Sequence, residues 1–204
     1  MPIFTQGDNK CYFAHVPRAG GRYVTSLFQN NNTICEHHLI DDEVVEGIQA
    51  PNLHYPLYEK NFDVSDIPHI TVVRNPFTKF QSCIRNMHVL YHEDYNLLLG
   101  DEKKFFNFVR KEIINSSVHN NWFLPQHRFL SPKMNVWKYE WGFGKNFLRW
   151  IYKKTGIVIE NNDVTYNKLW FENPMLGTYH LDKKVKINVR KFYRDDYRRF
   201  RYFL

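Results

Sequence analysis

Residues 69–73 read HITVV, a run without the apolar–polar alternation of a half-exposed strand. A run of this kind belongs to a strand covered on both faces. Covering both faces of a sheet takes helices above and below it, so this one segment directs the chain toward an α/β fold. The run stops at Arg74-Asn75-Pro76, where proline cannot continue a central ladder.

The neighbouring segments point the same way. Lys10 to Val16 is a short apolar run ended by Pro17, and Tyr23 to Gln29, after paired glycines, is helix-compatible. TICEHHL at 33–39 reads as a short strand, after which Asp41 or Asp42 can cap a helix through Gln49 with Val44, Val45 and Ile48 on one side. Residues 50–67 contain Pro51 and Pro56 and read as an irregular connection. Phe77 to Leu99 holds no Gly or Pro and spaces Phe80, Cys83, Ile84, Met87, Leu90 and Tyr91 as a helix would.

A further helix is expected over Asp101 to Asn115, a strand over MNVWKYE at 134–140, and a helix over Phe147 to Thr155 closed by Gly156. From Lys183 to Phe203, Val185, Val189, Phe192, Tyr193 and Phe200 recur at helical spacing among many charges. Strands alternating with helices predict one domain over residues 1–204, with a central, mainly parallel sheet flanked by helices.

Composition narrows the class. The chain is 43% hydrophobic and 17% aromatic, which excludes a disordered segment. It lacks any apolar run of about 18 residues, so no membrane span is expected. The start, MPIFTQGDNK, lacks the basic-then-apolar order of a signal peptide, so a cytoplasmic or otherwise soluble protein is expected. Cys11, Cys35 and Cys83 are odd in number and widely spaced, which argues for reduced core thiols over a disulfide framework or a zinc ribbon. No metal is assigned, because His88, His92, His119 and His127 show no ligand spacing shared with a nearby cysteine. The net charge of +7 favours a polyanionic partner: nucleotide, nucleic acid or acidic glycan.

The first place where such a partner could bind is HVPRAGGRYV at 15–24. Glycines between a strand and a helix let a ligand approach the backbone and expose N–H groups at a helix start. Arg18, at the mouth of the turn, adds a planar fork of donors for a multi-oxygen anion. The plain alternative is a strand-to-helix turn with a surface arginine. Neither G-x-x-x-x-G-K-[ST] nor G-x-G-x-x-G occurs anywhere in the chain, which counts against a P-loop kinase and a dinucleotide oxidoreductase.

The second place is VVRNPFTKFQSCI, where Arg74 ends the buried strand and Ser82 stands two turns into the next helix, on the face that can look back toward Arg74. Anions bind α/β sheets at such carboxyl ends. Together HVPRAGGRY and VVRNPFTKFQS resemble the two binding turns of sulfotransferases that use 3′-phosphoadenosine 5′-phosphosulfate (PAPS), particularly the carbohydrate branch. WFLPQ at 122–126 resembles the family's Pro-Gln segment, VWKYEWGFGKNFLRWI its strand-Glu-helix element around Glu140, and YRDDYRRFRYF its C-terminal ending.

The resemblance implies a P-loop-like sulfotransferase fold and a sulfuryl transfer from PAPS to a hydroxyl of a carbohydrate or similar acceptor, releasing PAP without a metal. It implies that Pro17, Arg18, Ala19, Gly20, Gly21, Arg22 and Tyr23 hold the 5′-phosphosulfate, with Arg18 on the leaving oxygen, and that Arg74 and Ser82 hold the 3′-phosphate. Three residues compete as the base that takes the acceptor proton: His54, favoured, then His38 and Glu36. The chain departs from the family pattern where Arg18 replaces the usual lysine, Arg22-Tyr23 the usual Thr-Ser, and Lys79 an arginine.

Two other readings stand beside this one. The first is a member of the same fold that binds PAP or a glycan without transferring sulfate, which the loss of the Thr-Ser hydroxyls favours. The second is a nucleic-acid-binding protein, favoured by the basic tail KFYRDDYRRFRYFL. Asp195 and Asp196 interrupt that tail, and its apolar spacing fits a helix packed on the core.

Overall fold

The computed structural model describes residues 2–37, 44–45, 48–49, 52–91, 95–114, 121–160 and 180–203. Strands β1 (Ile3–Gln6) and β2 (Asn9–Ala14) form a hairpin in which Gln6 faces Asn9. Gly7, at φ 56°, supplies the left-handed backbone that a two-residue hairpin loop needs. Helix α1 (Gly21–Gln29) follows the glycine turn, and β3 (Ile34–Glu36) returns to pair with β1. The run at the centre, β6 (His69–Val73), lies parallel between β2 and β7 (Asn135–Lys138). The sheet order is β3-β1-β2-β6-β7.

The sheet is therefore mixed, against the expectation of a mainly parallel one: β1 pairs antiparallel with both β2 and β3. The reason lies in IFTQ, whose apolar content is too short to register as a strand beside the polar residues that follow it. Joined to β2 by a tight loop, it can only run antiparallel.

Two other expectations change. Where a helix is expected up to Gln49, β4 (Val44–Val45) and β5 (Ile48–Gln49) pair antiparallel, as β-branched residues favour. Within the stretch read as irregular, Tyr55–Asn61 forms α2, with Pro56 in its first turn. There proline starts a helix instead of breaking one, because its missing N–H would lack an intrahelical partner anyway.

The remaining helices are α3 (Pro76–Tyr91), α4 (Tyr95–Leu99), α5 (Glu102–Ile114), α6 (Lys145–Thr155), α7 (Lys183–Phe192) and α8 (Arg194–Arg199). Alternation along β2 divides the core: Cys11 and Phe13 pack with Val24, Leu27, Phe28, Trp137, Phe147 and Ile151 on one face, while Tyr12 and Ala14 pack with Leu53, Leu57, Tyr58 and Phe129 on the other. All of β6 is buried, as its pattern requires.

The opening histidine of β6 is a core residue. Its Nδ1 lies 2.6 Å from the Ser131 hydroxyl and its Nε2 2.8 Å from the Val64 carbonyl, so Nε2 carries the proton, and burial lowers its pKa. A third cluster joins α3, α4 and α5 to the tail through Val185, Val189, Tyr193 and Tyr197. The basic C-terminal stretch is thus part of the core. No helix among the described residues is long and apolar enough to cross a membrane.

Candidate functional site

The carboxyl ends of β2 and β6 are neighbours, because these strands pair in parallel with Ala14 opposite Thr71. The Thr71 hydroxyl donates to the Ala14 carbonyl at 2.6 Å and ties the two ends together. Both sequence turns therefore open at the carboxyl end of the sheet, where α/β folds bind ligands.

In the first turn, Arg18 takes up φ 65° and Gly20 φ 92°, and no side chain caps α1. A non-glycine residue at such a φ costs about 1 kcal/mol or more and concentrates at functional sites. The glycines answer to packing. A Cβ on Gly21 would lie 1.8 Å from His15 Cδ2, and one on Gly20 would lie 3.0 Å from the Phe143 ring and 3.1 Å from that of Tyr139. The pair is thus required by the protein's own rings, with or without a ligand. What the turn offers an anion is its uncapped first-turn amides and Arg18.

Arg18 reaches across to α3. Its Nε and Nη2 donate to Ser82 Oγ at 3.1 and 3.0 Å, and Nη2 also donates to Asn86 Oδ1 at 3.1 Å. The Trp122 ring lies 5.6 Å from the guanidinium carbon. Ser82 was expected to look toward Arg74; the structure turns it to Arg18. Arg74 instead sets its guanidinium 4.6 Å over the Tyr139 ring and donates from Nη1 to the Arg18 carbonyl at 3.3 Å. Two arginines and a hydroxyl thus gather around one turn, an arrangement that favours an anion of several oxygens.

The main-chain groups of the second turn are met by polar side chains, one of its own and others from distant segments. Asn75 Oδ1 accepts from the Phe77 and Thr78 N–H groups at 3.0 and 3.4 Å, capping α3, while the Asn75 N–H donates to Glu140 at 2.7 Å. The other Glu140 oxygen accepts from the Tyr202 hydroxyl at 2.7 Å. Burial, followed by Glu140, pushes the Tyr202 pKa up. Lys79 turns inward: it is 2% exposed, its ammonium donates to the carbonyls of Trp122 and Leu124, and burial lowers its pKa.

The other expected residues are spread more widely. Pro17 and Ala19 are buried beneath the turn, Arg22 is exposed on α1, and Tyr23 packs on Phe143 at 4.8 Å between ring centres. His54 is half-buried at the start of α2; its neighbour Leu53 packs in one cluster with Val16 and Ala19, and the Asn52 carbonyl accepts from Asn121 at 2.9 Å, one residue before Trp122. Glu36 stands on the edge strand, two strands from β2, with Lys10 Nζ at 3.5 Å. His38 lies outside the described residues.

Asn86 and Trp122 belong to the site and were missed by the sequence reading. Asn86 was legible, since it stands one helical turn after Ser82 on the same face. Trp122 was not, because its place over Arg18 depends on a loop. An open cavity of about 510 Å³ lies between α3 and α7, lined by Phe77, Gln81, Lys183, Lys186 and Arg190 among others, and none of Arg18, Arg74, Ser82, Asn86 and Trp122 lines it. Among the described residues no group of three or more His, Cys, Asp and Glu could hold a metal ion. No protein-family model, curated protein or solved structure matches the chain.

Proposed function

We propose that this chain is a PAPS-dependent sulfotransferase acting on a hydroxyl of a carbohydrate or similar acceptor, with a P-loop-like sulfotransferase fold. The observation that carries the reading is the meeting of the two turns: Arg18 from the first is hydrogen-bonded to Ser82 from the second, and Arg74 reaches the Arg18 carbonyl. One ligand with an anionic group at each end can touch both.

PAPS supplies a sulfuryl group on a 5′-phosphate and a separate 3′-phosphate. In this reading the amides of Gly20, Gly21 and Arg22 bind the phosphosulfate, and Arg18 stabilises charge on the bridging oxygen as the bond to sulfur breaks. Arg74 binds the 3′-phosphate. Ser82 accepts hydrogen bonds from Arg18 and, in this reading, also contacts the 3′-phosphate. The acceptor oxygen attacks sulfur in line with the leaving group, and positioning does most of the work. His54 is the preferred base over Glu36, since its neighbour Leu53 shares a core cluster with Val16 and Ala19 of the first turn, while Lys10 engages Glu36 on the outermost strand.

A second reading, a fold member that binds PAP or a glycan without transfer, is favoured by one observation: where the family pattern has the hydroxyls of Thr-Ser, the Arg22 side chain is exposed and the Tyr23 ring packs on Phe143. Labelled-sulfate transfer from PAPS to a panel of glycans, alcohols, phenols and peptides separates the two. Transfer to a glycan is expected, with His54→Ala lowering kcat on the order of 100-fold at unchanged PAP affinity. PAP binding without any transfer selects the second reading. Neither binding nor transfer overturns both.

A further inference from the structure

The second turn is held from the far end of the chain. The Arg74 N–H donates to Gln126 Oε1 at 2.9 Å, and Gln126 Nε2 donates to the Arg74 carbonyl at 2.7 Å. A neighbouring strand would give a peptide this pairing; here one side-chain amide supplies it. Gln126 is itself 0% exposed. Its main-chain N–H donates to Asp196 Oδ2 at 2.8 Å, while Asp196 Oδ1 accepts from the His127 N–H at 3.0 Å and lies 2.7 Å from His127 Nδ1.

Asp196, on α8, is also fully buried. A carboxylate is buried at high cost unless its oxygens are hydrogen-bonded, and these contacts meet that need. Hydrogen bonds thus connect Asp196 on α8 to the Gln126 main chain, and the Gln126 side chain to the Arg74 peptide.

We infer that Gln126, held by Asp196, is the positioning residue of the second turn. It fixes the Arg74 main chain so that the guanidinium lies over Tyr139 and reaches the Arg18 carbonyl. Gln126 acts through Arg74. Its effect on ligand affinity rests on the sulfotransferase reading above, whereas its hold on the Arg74 peptide does not.

A double-mutant cycle tests the first part. Calorimetric PAP affinity is compared among the wild type, Gln126→Met, Arg74→Ala and the double variant. Gln126→Met is expected to weaken PAP on the order of tenfold and to cost nothing more once Arg74 is alanine. Equal losses in both backgrounds would mean a general packing role and would overturn the inference.

Hydrogen exchange at the Arg74 amide, without ligand, tests the second part. Exchange is expected to quicken on the order of tenfold in Gln126→Met and in Asp196→Asn while β2 amides stay protected. An unchanged Arg74 rate overturns the inference, whether or not PAP binds. If the wild type fails to bind PAP, the sulfotransferase reading falls and the exchange result alone decides the positioning role. Should Gln126→Met not fold, Gln126→Asn replaces it in both experiments, because it keeps an uncharged amide and shortens its reach to the Arg74 peptide by one methylene.

Discussion

The two turns that open at the carboxyl end of the sheet are built on opposite principles. The first, between β2 and α1, is shaped by close approach: Gly20 and Gly21 lie against the rings of Tyr139, Phe143 and His15, and no side chain caps the helix. The second, between β6 and α3, is shaped by polar side chains, since Asn75 caps the helix and Gln126 and Glu140 take the main-chain groups of Arg74 and Asn75. A backbone left uncapped can offer its own amides to an anion. A backbone already satisfied offers only the side chain it carries, here the Arg74 guanidinium. The first turn is thus suited to grip by main chain and Arg18, the second by Arg74.

The contrast predicts that bulk breaks the first turn and loss of a polar atom breaks the second. Gly21→Ala is expected to cost about 3 kcal/mol in urea unfolding, because its Cβ would meet the His15 ring. Adding His15→Ala should recover part of that loss. If Gly21→Ala unfolds like the wild type, close approach is not what shapes the turn.

Asn75→Ala should cost about 1 kcal/mol, the ordinary worth of a helix N-cap. A loss near zero would mean that water replaces the cap at no cost.

The smallest effect concerns Tyr202. Its pKa is raised by burial and by Glu140, so the folded state keeps the proton while the unfolded chain loses it near pH 10. Its contribution is present below about pH 10 and is lost as the pH rises further. Tyr202→Phe should make stability fall less between pH 9 and 11. An identical alkaline loss in both proteins would remove Tyr202 from the support of the second turn.

How much of this the sequence discloses depends on the range of the interactions. HITVV discloses β6 and the burial of both its faces, because a continuous apolar run is a local signal. The tail's apolar spacing likewise discloses that Val185 and Val189 are core. IFTQ stays hidden, since its pairing partners β2 and β3 decide it, and with it the mixed character of the sheet. Among the site residues, Arg18 and Arg74 are legible as arginines beside turns. That Ser82 serves Arg18 is not, because the direction of a long side chain across 64 residues of sequence separation depends on packing.

The proposed reading has the first turn grip one end of a nucleotide and the second turn grip the other. It is tested most directly by the affinities of Arg18→Ala and Arg74→Ala for two ligands: PAP, which carries a 3′-phosphate, and adenosine 5′-phosphosulfate, which does not. Arg74→Ala is predicted to weaken PAP by about 10- to 100-fold and to leave adenosine 5′-phosphosulfate nearly unchanged, while Arg18→Ala weakens both. Equal losses of the two ligands in Arg74→Ala, or a wild type that binds neither, would contradict it.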